Sequence, residues 1–401
     1  MSRLLVQGRL VDPEWGVRHG QVLIENGRIT RVGDGLGRPD LAFGDDCLVF
    51  PGFGDIHVHL REGQEYKEDY ASGSAAALAG GVTFCLDMPN NPVPPVDAET
   101  MAAKQAKVGD PPIEIGLYAA TGPGTRPFGH DHYKCFMAHS IGPLYFEKLS
   151  EIGPALEPYR GCQVTFHCED PELLTEGKSH EENRPPEAEA AAVKVAIELA
   201  QKLHLKANIA HLSTASGLEL LLAHPHITRE VTPTHLFFDT ENRHQFERSE
   251  LLKMNPPLRG PDHRRALLEA FKQGQIHFLA TDHAPHTLEE KTTTNPSGVP
   301  HLDTYGLFVS WLLVEQGLAP AHLARHACLL PGQFVGKKLG RLAEGYSGDV
   351  AVLNLGRPTT VRADQLHTKA GWSPFEGVTF PGQVECTVAR GVVFRSGVAV
   401  G

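Results

Sequence analysis

Two histidines and an arginine stand close together at the end of an apolar run, "GFGDIHVHLREG", which begins at residue 52. Side chains at alternate positions of a β-strand point to the same face, so His57 and His59 can face one site together. Imidazole nitrogens are common ligands of Zn²⁺. This stretch therefore raises the question of a metal centre, although an H-x-H pair alone is a weak signal.

Other polar side chains stand at the ends of further strand-like runs, and they could complete such a site. They are Asn90, Lys134, His167, His211, Asp282 and His286. Several histidines and a carboxylate are the ligand types that Zn²⁺ prefers. Any one of these histidines alone is more often structural than a ligand, but their shared position at run ends favours metal binding. Two more H-x-H pairs, at 130–132 and 224–226, are predicted to be loop and surface residues.

Lys134 does not fit a plain set of metal ligands. An ammonium group repels a cation and costs several kcal/mol to bury. One interpretation is that its charge reaches solvent along the aliphatic stem. The other is that CO₂ carboxylates the amine to a carbamate, an anion with two oxygens that could bridge two cations. Composition alone leaves both interpretations open.

The elements that must position these residues alternate between strand-like and helix-like stretches, which predicts a parallel sheet. The eight strand-like runs are CLVFPGFGDIHVH, GVTFCLDMPN, IEIGLYAAT, HYKCFMAHS, CQVTFHCED, KANIAHLST, REVTPTHLFF and IHFLATDHAPH. Eight such units predict an α/β fold with a (β/α)8 TIM-type barrel, whose active site lies at the carboxyl ends of the strands. The stretch "TGPGTRPFGHD" is too short and too rich in Gly and Pro for a full helix.

The two ends of the chain read differently, as short strands separated by glycine turns. Neither residues 1–50 nor residues 340–401 hold enough strands for a stable sheet of their own. We therefore predict that they pair into one small β-domain beside a catalytic barrel at residues 51–339. The alternative is that they form independent hairpins on the edge of the barrel.

Composition and charge exclude several classes of protein. The 401 residues carry 37 basic and 48 acidic side chains, a net charge of −11, so a basic nucleic-acid footprint is not expected. No stretch approaches the roughly 20 apolar residues of a membrane helix. The seven cysteines include no C-x-x-C pair, which is typical of reduced thiols in a cytoplasmic protein.

Several motifs together resemble the cyclic amidohydrolases, and among these the dihydroorotases, over about residues 50–305. They are PGFGDIHVHLREG, GGVTFCLDMPN, YKCFMAHS, FHCED, IAHLST, NPPLRG and ATDHAPHTLEEK. The resemblance implies a binuclear zinc site, with His57, His59 and Asp282 on one metal. It implies His167 and His211 on the other metal, with carboxylated Lys134 as the bridge. Some dihydroorotases use an aspartate as the bridge instead.

The same resemblance implies a reaction, the reversible hydrolysis of (S)-dihydroorotate to N-carbamoyl-L-aspartate in de novo pyrimidine biosynthesis. Asp282 would be the catalytic general base and acid. Substrate-binding roles fall on Arg61, Asn90 and His286 for the carboxylate and on Asn255 for the ring. Alternatives remain open: Arg61 in a surface salt bridge with Glu62 or Glu65, Asn255 as a turn residue, and Asn91 in place of Asn90.

Two rival functions are an allantoinase or hydantoinase on the same scaffold and a non-catalytic partner of aspartate transcarbamoylase. The first group generally lacks the Arg of H-x-H-x-R and the second His of D-H-A-P-H, both present here as Arg61 and His286. The second group has lost metal ligands. We expect a small-molecule substrate and a homodimer, and association with aspartate transcarbamoylase stays open. His301, where relatives often carry Gly, is a departure that could narrow the pocket.

Overall fold

The computed structural model describes residues 3–139 and 143–400. Residues 1–2, 140–142 and 401 lie outside the description, and with them the last residue of the run HYKCFMAHS and the extreme ends of the two predicted terminal segments. The strands of the described residues are β1 Arg3–Asp12, β2 Gly16–Glu25, β3 Arg28–Gly33, β4 Leu41–Ala42, β5 Cys47–Pro51, β6 Phe53–Val58, β7 Val82–Asp87, β8 Glu114–Leu117, β9 Ala119–Thr121, β10 His132–Phe136, β11 Gln163–His167, β12 Lys206–Ile209, β13 Thr228–Val231, β14 Phe278–Leu279, β15 Val350–Asn354, β16 Thr359–Thr360, β17 Thr379–Phe380, β18 Gln383–Ala389, β19 Val392–Arg395 and β20 Val398–Val400. The α-helices are α1 Tyr70–Ala79, α2 Ala98–Val108, α3 Leu149–Leu156, α4 His180–Asn183, α5 Pro186–Leu203, α6 Ala215–Leu222, α7 Pro233–Phe237, α8 Pro261–Lys272, α9 Leu288–Thr293, α10 Tyr305–Val314, α11 Pro320–Ala324 and α12 Leu330–Phe334.

Parallel strands from β6 to β14 form the barrel that the sequence predicts. One run of neighbours is β6–β7–β8, and the other is β9–β10–β11–β12–β13–β14. Only Tyr118 separates β8 from β9, and its N–H donates to Asp87 O at 2.9 Å, so the two short pieces act as one barrel strand. The predicted α/β barrel architecture is therefore present.

The first and last barrel strands meet through a mixture of backbone and side-chain contacts. Val58 forms a parallel bridge with His283, and His59 N donates to His283 O at 2.7 Å. The fully buried Asp55 carboxylate accepts the Thr281 N–H at 3.1 Å. Burial raises the pKa of Asp55 to about 7, although the hydrogen bonds from Thr281 act in the opposite direction. These contacts bring the end of β6 against the residues that follow β14.

Strands from both ends of the chain form one sheet beside the barrel, in the order β20–β19–β18–β15–β5–β1–β2–β3. Its centre is the antiparallel pairing of β5 with β15, which joins Val49 to Val352. The alternative of independent edge hairpins is therefore wrong, while the domain boundaries at 50 and 340 stay a prediction. Residues 359–380 leave this sheet, and their Trp372 and Phe375 are fully buried against the barrel side.

Local sequence explains where the elements depart from the predicted runs. The run "REVTPTHLFF" is a strand only as far as Val231, because the Thr232 side chain caps α7 by accepting His235 N–H and Pro233 takes the first helical position. No helix lies between β9 and β10, as predicted from the Gly and Pro content. The prediction that His132 is a loop or surface residue is wrong, because it is buried on β10 and stacks on Phe334 with ring centroids 5.4 Å apart.

A buried carboxylate links the two terminal segments, and its removal tests that link. Asp12 is fully buried and accepts Leu342 N–H and Arg341 Nη2, both at 3.0 Å. We expect Asp12→Ala to lower the free energy of unfolding by about 3 kcal/mol, because an N–H and a guanidinium lose a charged acceptor. Urea titration measures this. In the matched control, Asp45→Ala removes an exposed carboxylate and should change stability by less than about 0.5 kcal/mol; equal losses would contradict the link.

Candidate active site

His57, His59 and Asp282 converge where the barrel closes. Nε2 of His57 lies 3.2 Å from Asp282 Oδ1, and Nε2 of His59 lies 2.9 Å from the same oxygen. The other ring nitrogen of each histidine is occupied, since His57 Nδ1 donates to Glu230 at 2.8 Å and His59 Nδ1 donates to Asn90 at 2.6 Å. Both rings thus turn Nε2 toward the same carboxylate, as a shared metal site requires.

Opposing electrostatic effects set the protonation of this cluster. Burial and the charge of Lys134 lower the pKa of His57, but the carboxylates of Asp282 and Glu230 outweigh them and raise it overall. Burial lowers the pKa of His59 to about 4. Burial also acts to raise the pKa of Asp282, yet the two histidines hold it well below its usual value. Asp282 is therefore an ionised carboxylate at neutral pH.

A second histidine pair lies beside the first. Nδ1 of His167 is 2.9 Å from Nε2 of His211, and the His211 ring lies 5.2 Å from the ring of His57. His167 Nε2 donates to the buried Glu169 at 2.8 Å, and Arg184 pairs with the same carboxylate. Burial lowers the pKa of both histidines, so both rings are neutral. The 2.9 Å contact is then a hydrogen bond from His211 Nε2 to His167 Nδ1, and His211 Nδ1 keeps a lone pair without a partner among the described residues.

Lys134 lies inside the barrel with its ammonium fully buried. Its Nζ has no hydrogen-bond partner among the described residues and lies 5.3 Å from the ring centroid of Phe136. The interpretation that its charge reaches solvent is therefore wrong. Burial lowers the pKa of Lys134 to about 8, which makes the neutral amine, the form that reacts with CO₂, accessible near neutral pH.

Arg61 and His286 form the other end of the site. Arg61 Nη2 donates to His286 Nε2 at 3.2 Å, and Arg61 Nε donates to Pro285 O at 3.0 Å. Arg61 is 4% exposed, so the alternative of a surface salt bridge with Glu62 or Glu65 is wrong. Burial lowers the pKa of His286 to about 2, with the charge of Arg61 acting in the same direction. A cationic fork thus lies beside a neutral imidazole, whose other nitrogen lies 3.3 Å from Glu290, and the contacts of Arg61 given above are to a ring nitrogen and a backbone carbonyl rather than to a carboxylate.

The two neighbouring asparagines have different surroundings. Asn90 accepts from His59 and lines the central cavity. Asn91 points away from it, where its amide donates to Glu62 O at 3.0 Å and its oxygen accepts from Lys104 at 2.6 Å. This arrangement favours Asn90 over Asn91 as a group that can meet a ligand.

One cavity brings most of the sequence-predicted residues together. It is lined by His57, His59, Arg61, Asn90, Phe136, His167, His211, Asn255, Asp282, Ala284, Ser297 and Gly298. Asn255 contributes a buried Oδ1 without a hydrogen-bond partner, which favours a ligand contact over a turn residue. Lys134 and His286 do not line the cavity; they lie next to residues that do. His301 is also absent from the lining and packs 5.7 Å from the ring of Phe375, so its expected contact with the pocket is not seen.

Three of the cavity residues have unusual backbone conformations. Arg61, His211 and Asp282 have φ angles of 59°, 33° and 51°. Left-handed conformations of non-glycine residues cost of order 1–3 kcal/mol and cluster at functional sites. The strain at three separate strand ends therefore supports a functional role for this cavity.

Three carboxylates beside the histidines were missed by the sequence reasoning: Glu169, which accepts from His167, and two that lie inside strands. Glu230 is fully buried in β13, where it accepts from His57 and from Asn208 at 2.5 Å. Asp55 joins β6 to Thr281. The only signal for either was a carboxylate inside a strand-like run, "REV" or "GFGDI", where an unpaired charge would be expensive.

The donor set is of a kind that can hold a metal ion. Ligand atoms of His57, His211 and Asp282 all lie within 4.8 Å of one another. The buried His211 Nδ1 lacks a partner among the described residues, as expected for a nitrogen that would acquire one when a cation binds. Nζ of Lys134 also lacks a partner there, and it could face a cation only after conversion to a carbamate. Imidazole nitrogens and carboxylate oxygens are ligands of Zn²⁺.

Comparison with known proteins identifies the family. The sequence profile of the amidohydrolase family matches residues 48–394. The chain belongs to the amidohydrolase family. The prediction that it is a hydrolase, made from its resemblance to cyclic amidohydrolases, is confirmed.

Among the described residues, no helix has the length and apolar character needed to cross a membrane.

Relatives that carry the name dihydroorotase extend over nearly the whole chain. The protein from Thermococcus kodakarensis is 35% identical, covering 99% of this chain and 95% of its own length. The protein from Pyrococcus abyssi is 34% identical, with coverages of 98% and 93%. The sequence resemblance to the dihydroorotases is thus confirmed.

Solved structures with the same fold carry another name. L-hydantoinase (dihydropyrimidinase) from Arthrobacter aurescens has a TM-score of 0.91 at 22% identity, covering 100% of this chain and 98% of that one. D-hydantoinase (dihydropyrimidinase) from Thermus sp. has a TM-score of 0.84 at 22% identity, with coverages of 99% and 96%. At these identities the likeness shows the fold, and it confirms the predicted barrel with its small β-domain.

Glu230 offers a test of the metal centre that leaves every proposed ligand in place. We expect Glu230→Gln to weaken Zn²⁺ binding roughly 10–100-fold, because the neutral amide no longer stabilises the His57 tautomer that turns Nε2 inward. Competition with a chromophoric chelator measures the affinity. The matched control is Glu219→Gln, at an exposed position of α6. Unchanged affinity in Glu230→Gln would contradict the orienting role.

Proposed function

We propose that this protein is a zinc-dependent dihydroorotase, which interconverts (S)-dihydroorotate and N-carbamoyl-L-aspartate. One observation carries the proposal: Arg61, which suits a carboxylate and donates to the neighbouring His286, lines the same cavity as the His57–His59–Asp282 cluster, which suits a metal. The named relatives from Thermococcus kodakarensis and Pyrococcus abyssi support it. The hydantoinase structures support the fold but not the choice of substrate.

The metal-binding part of the proposal uses four imidazoles and a carboxylate that line the cavity. His57, His59 and Asp282 would hold one Zn²⁺, and His167 and His211 a second. Carboxylation of the partnerless Lys134 amine would convert a repelling cation into a bridging anion. Bound zinc would lower the pKa of water and polarise the ring carbonyl.

Asp282 is suited to move the proton of the reaction. Its carboxylate is ionised, since His57 and His59 hold its pKa low, so it can accept a proton from the attacking water. It would then deliver that proton to the ring nitrogen as the amide C–N bond breaks and a new C–O bond forms. The reverse sequence closes the ring of carbamoyl aspartate.

The residues at the other end of the cavity bind and orient the substrate. Arg61 offers two parallel donors to the carboxylate, and His286, with one nitrogen already accepting from Arg61, borders the same position. Asn90 would add an amide donor for the carboxylate, and Asn255 would bind the ring with its partnerless amide oxygen. Attack requires the carbonyl carbon about 3 Å from the nucleophile, so the distance between the two ends of the cavity defines which ring fits.

A biological setting follows from this reaction and from the composition. We place the protein in the cytoplasm, in de novo pyrimidine biosynthesis, because its cysteines are free and six of the seven are buried, as in reducing compartments. A homodimer, with or without aspartate transcarbamoylase, is our expectation for the assembly. A non-catalytic role beside that enzyme is less well supported, because the full set of ligand-type residues is present.

Lys134 tests the bridge. We expect Lys134→Ala to lose one or both zinc ions and at least about 10²-fold in turnover, since the remaining histidines lack an anion between them. Zinc content by elemental analysis and the dihydroorotate hydrolysis rate measure this. Short carboxylic acids should restore part of the rate by supplying the missing anion.

The control for this variant is Lys194→Ala, at an exposed position of α5 that is remote from the cavity lining. It should keep both zinc content and rate. Full zinc content and full activity in Lys134→Ala would exclude the bridging role and leave a metal centre of histidines and Asp282.

Substrate choice tests the function itself. Dihydrouracil has the same ring amide as dihydroorotate but no carboxylate, so it would leave Arg61 buried and unpaired. Sites built around such a contact can reject analogues that lack it by roughly 10⁴-fold. We expect wild-type kcat/KM to favour dihydroorotate over dihydrouracil and hydantoin by at least about 10³-fold.

Arg61→Met sharpens the comparison. It should lower kcat/KM for dihydroorotate and leave the weak dihydrouracil rate nearly unchanged, so the preference collapses. The four kcat/KM values of two substrates and two proteins decide the matter. A wild type that hydrolyses dihydrouracil or allantoin as well as dihydroorotate would refute the dihydroorotase proposal in favour of a hydantoinase or allantoinase.

A further inference from the structure

Trp372 reaches the substrate-binding end of the cavity from the far end of the chain. It belongs to the 359–380 segment that leaves the terminal sheet, and its side chain is fully buried. Its indole N–H donates to the backbone carbonyl of His286 at 2.8 Å. The preceding carbonyl, of Pro285, accepts from Arg61. Two side chains from opposite ends of the chain therefore hold adjacent carbonyls of the loop that carries His286.

Lys291 connects Trp372 to the remaining loops of the cavity. Its Nζ lies 5.7 Å from the Trp372 ring centroid and donates to Pro296 O at 2.8 Å and to Lys253 O at 3.2 Å. Pro296 precedes two cavity-lining residues, and Lys253 lies two positions before Asn255. The ammonium thus ties together the segments that carry His286, Asn255 and the cavity wall.

The position of Lys291 is unfavourable for stability alone. The residue is 1% exposed, and the hydrogen bonds of its Nζ go to two backbone carbonyls rather than to a carboxylate. Burial and the charge of Lys253 lower its pKa to about 7. A buried ammonium without a carboxylate is costly, whereas a hydrophobic side chain there could pack on the indole at no such cost. The hydrogen bonds of the ammonium hold its own helix against the segments of Lys253 and Pro296.

The same terminal segment also holds the loop that follows β6. Thr368 donates to the buried Glu68 carboxylate, and Lys369 Nζ donates to Glu65 O at 2.7 Å. Arg61 lies at the start of that loop. Residues 368–372 therefore contact both loops whose side chains meet at the proposed carboxylate position.

We propose that Trp372 and Lys291 are a positioning pair, which sets the spacing of Arg61 and His286 and thereby the selectivity for a substrate carboxylate. The inference rests on the proposed function for the nature of the ligand. Neither residue lines the cavity, so both act through the residues they hold. Displacing a substrate-binding group by about an ångström can cost about 10²-fold, so loss of one hydrogen bond at this point has a measurable effect.

Trp372→Phe keeps the aromatic ring and removes the indole N–H. We expect KM for dihydroorotate to rise about tenfold with kcat nearly unchanged, because ground-state and transition-state binding of the carboxylate weaken equally. The kcat/KM for dihydrouracil, which lacks that group, should stay unchanged. The matched control is Trp311→Phe, a buried tryptophan of α10 packed on Phe237. It should alter neither substrate selectively, and a purely structural role for Trp372 would affect both substrates alike and contradict the proposal.

A double-mutant cycle asks whether Trp372 acts through Arg61. If it does, Trp372→Phe should have little further effect on KM in the Arg61→Met background, so the two changes are strongly non-additive. Full additivity would overturn the proposal. Lys291→Met provides a second variant with the same expected KM pattern if Trp372→Phe fails to fold, and Lys194→Met is its exposed control.

Hydrogen exchange of the Trp372 indole N–H, measured by NMR, does not depend on the substrate. The chain has three tryptophans, and loss of one indole signal in Trp372→Phe assigns it. We expect exchange to be at least tenfold faster in Lys291→Met than in wild type and unchanged in Lys194→Met. Equal exchange rates would overturn the positioning pair. If the wild type showed no preference in kcat/KM for dihydroorotate over dihydrouracil, the proposed function would be overturned. The exchange experiment would still decide whether Lys291 holds Trp372 in place.

Discussion

The contact between the first barrel strand and the residues after the last one is the constraint on which the site depends. β14 has only two residues, too few for a regular ladder to hold the barrel closed. The carboxylate of Asp55 supplies the missing acceptor for Thr281, and His59 N–H binds His283 O. Because residues 55–59 and 281–283 are locked in this register, the imidazoles of His57 and His59 face Asp282, and Arg61 reaches the loop of His286. Slippage by one residue would turn these side chains out of the barrel.

A common arrangement orients the histidines around the cavity. Three of the four are fixed by an acceptor at one ring nitrogen: Glu230 for His57, Asn90 for His59 and Glu169 for His167. The acceptor of His57 lies in β13 and that of His59 in the loop after β7, so ring orientation depends on the assembled barrel rather than on the local chain. This arrangement makes the ring nitrogens converge before any cation binds, which reduces the entropy lost on binding.

The sequence predicted the barrel, the shared terminal sheet and most cavity residues, because period-two patterns and strand-end positions are local signals. It could not reveal Glu230 or Asp55, since a carboxylate inside a strand is explained only by the partner that another strand supplies. It also misplaced His132, because composition does not show at which residue a short strand begins. The role of Trp372 was invisible for a further reason: its partner, the His286 carbonyl, lies 86 residues away in sequence and is a backbone atom, which leaves no pattern in side-chain type.

The terminal sheet also has a consequence for synthesis on the ribosome. β5 pairs with β15, and this pairing joins Pro51 to Val350. Val350 is synthesised about 300 residues after Pro51, which takes roughly 15–60 s at 5–20 residues per second. During that interval β5 can pair with β1, but its other edge is unpaired, the kind of surface that invites association with other nascent chains. The loops around His286 also lack Trp372 until the last part of translation. The barrel can therefore assemble early, whereas the part of the cavity that selects the ligand is completed only when synthesis is nearly over, and polysomes are where misassembly of this protein is most to be expected.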